Sequence, residues 1–232
     1  MTVLEARGLV KRYVGGDGAE IEVLSGVDLD VARGEFVAIV GASGTGKSTL
    51  LHLLGALDRP TAGSMRLDGT AYAGLGPDAL AALRNRKVGF VFQFHHLLRD
   101  FSALENVALP LLIAGEARRA AEARARELLG AVGLGGRLTH RPPQLSGGEQ
   151  QRAAVARALA TGPLVLLADE PTGNLDQAHG DQLHELFAGL AARYEMAVVV
   201  VTHNRTFAAR ADRILTLEGG RLLPRAGAEA TA

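Results

Sequence analysis

The sequence predicts an α/β fold: a mainly parallel sheet covered by helices, with an antiparallel β element on its N-terminal side. Three observations carry this expectation. Short aliphatic runs at residues 36–40, 164–168 and 197–201 are each followed by a stretch of helical composition, at 47–57, 181–194 and 206–211. Continuous apolar strands alternating with helices are the pattern of a parallel sheet buried on both faces. The first thirty residues depart from it, with strand-like segments at 4–14, 21–24 and 27–31 and a glycine-rich turn (Gly15, Gly16, Asp17, Gly18) between the first two, which reads as an antiparallel unit.

Further along, residues 78–135 read as mainly helical around a strand at 89–92, and the segment 116–129 interleaves Arg118, Arg119, Arg124 and Arg126 with Glu116, Glu122 and Glu127, the mark of a solvated helix face. The last residues, 224–232, are small and polar and read as a disordered tail.

The chain has 232 residues, 25 Lys and Arg against 25 Asp and Glu, 47% hydrophobic residues and no cysteine. A chain of this length buries roughly 70% of the surface it exposes when unfolded, so its core needs no disulfide or zinc. Zero net charge offers no basic footprint for nucleic acid or anionic lipid, and no nucleic-acid partner is expected. The first residues lack the apolar core of a signal peptide. The longest apolar runs are strand-sized, short of the ~20 residues that span a bilayer. The expected location is cytoplasmic, with any membrane role exercised through a partner.

The first chemical motif is Gly41-Ala42-Ser43-Gly44-Thr45-Gly46-Lys47-Ser48-Thr49, which matches G-x-x-x-x-G-K-[ST] and stands between a strand and a helix. In that setting backbone N–H groups curl around a β-phosphate, Lys47 reaches the β and γ oxygens and Ser48 ligates Mg²⁺. A glycine-rich turn capped by Ser or Thr is the plainer alternative, but it requires neither the lysine nor the flanking elements. The second motif is the strand 164–168 running into Asp169 and Glu170. Asp169 suits Mg²⁺ and Glu170 suits the proton of an attacking water, although a strand simply running out into solvent also ends in acids.

The third is Leu145-Ser146-Gly147-Gly148-Glu149-Gln150. Ser146 and Glu149 fit a capping box. Two glycines in the first helical turn cost about 1 kcal/mol each relative to alanine. Capping does not explain them, whereas close approach of a second phosphate to bare N–H groups does.

These motifs together resemble the ATP-binding cassette (ABC) ATPases, whose signature sequence is LSGGQ or LSGGEQ, and the resemblance covers nearly the whole chain. It implies a single domain over residues 1–223: a P-loop NTPase (RecA-like) core with its N-terminal β subdomain at about 1–93 and 159–223, and an inserted helical subdomain at about 94–158. It also implies a homodimer binding two ATP with Mg²⁺, in which Ser146, Gly147, Gly148 and Glu149 of one copy close over the nucleotide held by the other. By the same resemblance Tyr13 stacks on adenine and Gln93 senses Mg²⁺ and the attacking water. Asp176 couples the two sites, and His203 contacts the γ-phosphate.

From the residues alone, Tyr13 equally packs on the β element, Gln93 can face solvent from its strand, and a lone His203 is more often a core histidine than a catalytic one. Asp176 lies too early to cap the helix that follows. The marks persuade by occurring together and in order.

A closer likeness lies in Gln93-Phe94-His95-His96-Leu97-Leu98 and in residues 100–107, which are similar to the ATP-binding subunits of lipoprotein-releasing transporters. Residues 170–176 are shared with a wider group that includes macrolide-export and cell-division ATPases. The likeness implies integral membrane permease partners of the LolC/LolE kind, contacted around residues 94–101, and a place on the cytoplasmic face of the inner membrane. Arg99 stands where that group usually has Pro, and Asn204 where Asp is usual. Adjacent His95 and His96 point to opposite faces if they lie on a strand, and no third ligand is in view, so contact with the membrane partner is expected of them rather than a metal. Soluble ABC relatives acting on DNA or ribosomes usually carry two cassettes or long coiled coils; this chain has one cassette and no heptads.

Overall fold

The computed structural model describes residues 1–16, 18–173, 180, 183, 185–187, 189 and 194–224. In chain order its elements are β1 (Thr2–Val14), β2 (Glu20–Ala32), β3 (Phe36–Val40), α1 (Lys47–Leu54), β4 (Ala62–Leu67), β5 (Thr70–Ala71), α2 (Pro77–Lys87) and β6 (Val88–Phe92). There follow α3 (Ala103–Ile113), α4 (Arg118–Ala131), α5 (Gly147–Ala158), β7 (Val165–Asp169), β8 (Ala197–Val201), α6 (Arg205–Ala208), β9 (Arg213–Glu218) and β10 (Arg221–Pro224).

Two sheets result. One has four antiparallel strands in the order β2-β1-β4-β5, and the other has six in the order β10-β9-β3-β8-β7-β6, parallel except where β10 turns back on β9. The expected parallel sheet and N-terminal antiparallel unit are therefore both present. Within that unit β2 is one strand rather than two. Leu9 opposes Val27 and Val10 opposes Ser25, so Gly26 is the extra residue of a bulge, and its φ of 80° is open to glycine.

Alternate residues of the parallel strands enter two cores. Val37, Ile39, Val165, Leu167, Val199 and Val201 pack with α1, β1 and β4, while Leu166, Ala168, Val198 and Val200 pack with α3, α4 and α5. Every residue of β8 is buried, which is why its sequence is continuously apolar. α1 stops at Leu54, short of the expected 57. Gly55 lies against Phe90, whose ring would be 1.9 Å from any added Cβ.

In the helical layer α3 opens with a capping box between Ser102 and Glu105. α4 buries Ala121, Ala125, Leu128 and Leu129 and turns its charges outward as the pairs Arg118–Glu122, Arg126–Glu122 and Arg124–Glu127. Among the described residues no helix is long and apolar enough to cross a membrane.

The parallel register aligns one edge of the larger sheet. Phe92 pairs with Asp169, and Asp169 with Val201, so the C-terminal ends of β6, β7 and β8 lie level.

Candidate active site

Open α/β sheets gather ligands beyond the carboxyl ends of their strands, and here a cleft of about 850 Å³ lies at that edge. The loop from β3 to α1 forms one wall. Gly41 and Gly46 are there by steric necessity, since a Cβ would meet the Leu217 carbonyl oxygen at 2.6 Å and the Val23 side chain at 2.7 Å respectively. Gly46 also takes φ 97° as the N-cap of α1, with no side-chain cap and no acid in the first turn. The first turn of α1 thus carries neither a side-chain cap nor an acid of its own, and with Gly46, Lys47, Ser48 and Thr49 lining the cleft it makes a cradle that fits phosphate.

Lys47 Nζ folds back along this loop and donates to the carbonyls of Gly41 (2.9 Å) and Ala42 (2.8 Å). Thr45 Oγ1 donates to Ala42 as well, at 3.0 Å. Ser43, Gly44, Ser48 and Thr49 line the cleft with Lys47.

The opposite wall comes from the level strand ends. Asp169 terminates β7 and makes a side-chain hydrogen bond with Ser48. Burial pushes its carboxyl above the ordinary aspartate value and the neighbouring Glu170 charge adds to this, against the Ser48 bond, His52 and Lys47. Two hard oxygen ligands this close fit Mg²⁺.

Glu170 follows with φ 44°, a left-handed conformation rare for a residue with a side chain. Its Oε2 accepts from Thr202 Oγ1 at 3.0 Å, and its Oε1 accepts from the backbone N–H of His203 at 2.9 Å and lies 2.9 Å from His203 Nδ1. Gln93 is the first residue past β6 rather than a member of it, and it lines the cleft beside Gly173, where a Cβ would approach its amide to 2.9 Å.

The cleft therefore collects Gly44, Gly46, Lys47, Ser48, Gln93, Asp169, Glu170 and His203 from separate stretches of sequence. Tyr13 stands beside it, 40% exposed, with its hydroxyl donating to Asp58 at 3.0 Å and a side-chain hydrogen bond to Thr49. Ser146, Gly147, Gly148 and Glu149 do not line it.

Those four residues open α5, where Ser146 and Glu149 form the expected capping box and Arg137 pairs with Glu149 at 3.0 Å. A Cβ on Gly147 would meet nothing within 4 Å, so no group among the described residues demands glycine there. Asp176 lies outside the described residues.

The two histidines are not on a strand. His95 Nε2 bonds the Gly147 carbonyl at 2.9 Å, and the His96 ring meets Phe92 edge-on at 5.2 Å. Asn204 caps α6 through Oδ1, which accepts from the backbone N–H groups of Thr206 and Phe207, a duty Asn performs as well as Asp.

Sequence reasoning missed three residues. His52 lines the cleft one turn after Ser48, buried Thr202 holds Glu170, and buried Gln151 donates from α5 to the Pro171 carbonyl at 2.8 Å. The spacing of His52 from Ser48 on α1 was the one available signal.

The chain matches the family model described as ABC transporter over residues 24–173. It is 55% identical over 222 residues to the lipoprotein-releasing system ATP-binding protein LolD of Geobacter metallireducens, covering 96% of this chain and 98% of that protein. To LolD of Bordetella pertussis it is 57% identical over 221 residues, covering 95% of each. Among solved structures it is similar to a dimeric, post-hydrolysis ATP-binding cassette, MJ0796, bound to ADP and Pi, with TM-score 0.87, 40% identity and coverage of 94% and 96%.

Proposed function

This chain belongs to the ABC transporter family, and from that premise we propose that it is the ATP-hydrolysing subunit of a transporter that releases lipoproteins from the inner membrane. The observation that carries the chemistry is the convergence of Lys47, Ser48, Asp169, Glu170 and Gln93 on one cleft. The likeness to LolD over nearly the full chain supports the transported class.

In this reading Lys47 leaves the carbonyls of Gly41 and Ala42 for the β and γ oxygens of ATP, whose phosphates lie on the first-turn N–H groups of α1. Tyr13 offers its ring to the adenine. Ser48, Asp169 and Gln93 hold Mg²⁺, which when bound neutralises charge on the β- and γ-phosphates. Glu170 takes a proton from the attacking water as the bond between the γ-phosphorus and the bridging oxygen breaks, giving ADP and phosphate. His203 holds Glu170 and reaches towards the γ-phosphate.

Two copies act together. Ser146, Gly147, Gly148 and Glu149 of one face the ATP of the other, with Asp176 at the junction, in keeping with a glycine at 147 that nothing among the described residues requires. The contact with LolC/LolE-like permeases, on the cytoplasmic face of the inner membrane, lies around residues 94–101, a reading supported by the exposure of Phe94, Leu98 and Phe101. We take residues 94–158 as the helical subdomain of the cassette.

Reconstitution tests the whole reading. Membranes expressing the tagged chain are expected to yield a co-purifying integral membrane partner, and vesicles made with the pair are expected to release a lipoprotein when ATP is added. Partner-independent ATPase with no release would sink the transport assignment and leave the ATPase one standing.

A further inference from the structure

Residues 94–98 are bound to α5 at two places. His95 Nε2 lies 2.9 Å from the Gly147 carbonyl oxygen. A carbonyl only accepts, so the ring donates. Ten residues further along α5, the half-buried Arg157 guanidinium donates to the backbone carbonyls of both histidines, Nη1 to His96 at 2.6 Å and Nη2 to His95 at 2.8 Å. The two attachment points are about 15 Å apart along the helix. Two attachments separated by that distance on one rigid element resist rotation as well as translation. His96 is held at φ 48°, a conformation that persists only where its surroundings enforce it.

We propose that His95 is a positioning residue of the composite ATP site. Its ring fixes the first turn of α5, and with the Arg157 clasp it makes residues 94–98 and the backbone at 147–148 one body. A displacement imposed on 94–98 by the membrane partner then reaches the N–H groups that face the second copy's nucleotide without passing through Gln93. The inference rests on the reading that residues 146–148 close over the ATP of a second copy.

The test uses the full chain as wild type, His95→Ala and His95→Gln. Binding of a fluorescent ATP analogue with Mg²⁺ reports the single-chain site, and ATPase rate per chain against protein concentration reports closure of the pair. His95→Ala is expected to bind the analogue within about twofold of wild type. Its half-saturating protein concentration should rise roughly 5- to 150-fold, the range for losing one ordinary hydrogen bond in each of two subunits. Glutamine places an N–H donor near the ring nitrogen and should recover most of that shift.

An unshifted His95→Ala overturns the proposal if the wild type is itself cooperative. Equal shifts in both variants, or loss of analogue binding in both, assign His95 to packing. A wild-type rate strictly proportional to concentration removes the composite site itself, and with it the premise.

Discussion

Glu170 and His203 hold one another through three contacts: Glu170 accepts from the backbone N–H of His203 with both carboxylate oxygens, at 2.9 and 3.2 Å, and its Oε1 lies 2.9 Å from the ring Nδ1. The residues are 33 apart in sequence and meet because β7 and β8 end level. The left-handed backbone at Glu170 costs of order 1–3 kcal/mol, and these contacts, with Thr202, are what sustain it. The carboxylate is thereby aimed into the cleft before any nucleotide arrives.

Replacing Glu170 by Gln keeps an oxygen for the His203 N–H and removes the basic oxygen. Turnover should fall by about 10²- to 10⁴-fold, the usual worth of general-base assistance, while ATP-bound dimer accumulates in size-exclusion chromatography. A variant that keeps more than about a tenth of wild-type turnover fails that role, because the loss lies below the range.

Lys47→Ala removes the cation that Gly41 and Ala42 hold in place. A charge-assisted hydrogen bond is worth about 1.5–3 kcal/mol, so ATP affinity should drop roughly 10- to 150-fold in titration calorimetry. Unchanged affinity at moderate salt would remove Lys47 from the phosphate site.

Asp169 yields a prediction of opposite sign for stability and activity. Its folded-state pKa is raised, so folding disfavours the charged carboxylate and stability is lost as pH rises through that range. In nucleotide-free, Mg²⁺-free protein at neutral pH, Asp169→Asn should raise Tm, with the gain vanishing below the ordinary aspartate value of 3.8. Hydrolysis should be abolished at every pH. A lowered Tm at neutral pH contradicts the desolvation account.

Leu98→Glu tests the partner surface. Leu98 is 43% exposed and outside the cleft, so basal ATPase should stay within about twofold while stimulation by the permease is lost. Leu97 is a poor choice for this experiment because it packs against the core, where a charge costs several kcal/mol. Full stimulation of the Leu98 variant would move the contact elsewhere.

The parts legible in the sequence were those written in short windows. Residues 36–49 carry strand, loop and helix contiguously, residues 164–170 carry a buried strand and its acids, and the capping box at Ser146 needs only four residues. What stayed hidden was set by contacts between distant stretches. Gly26 gave no sign that it bulges within a strand rather than dividing two, because the partner strand decides that. Residue 55, the C-cap of α1, is glycine because of Phe90, 35 positions away. Thr202 and Gln151 look like ordinary polar residues, and only burial beside Glu170 and Pro171 makes them supports for the site.

The level ending of β6, β7 and β8 bears on how such a chain can change over generations. Each strand acts as a ruler with a step of about 3.3 Å, and a slip of one notch turns every side chain to the opposite core. One codon lost between 165 and 168 would draw Asp169 and Glu170 back from Ser48 and His203 while burying acids among valines. Codons added at Ala73 and Gly74, exposed in the turn between β5 and α2, leave that alignment untouched. Insertions and deletions should therefore collect in the turns, and the distances within the three strands should stay fixed while their aliphatic residues exchange freely.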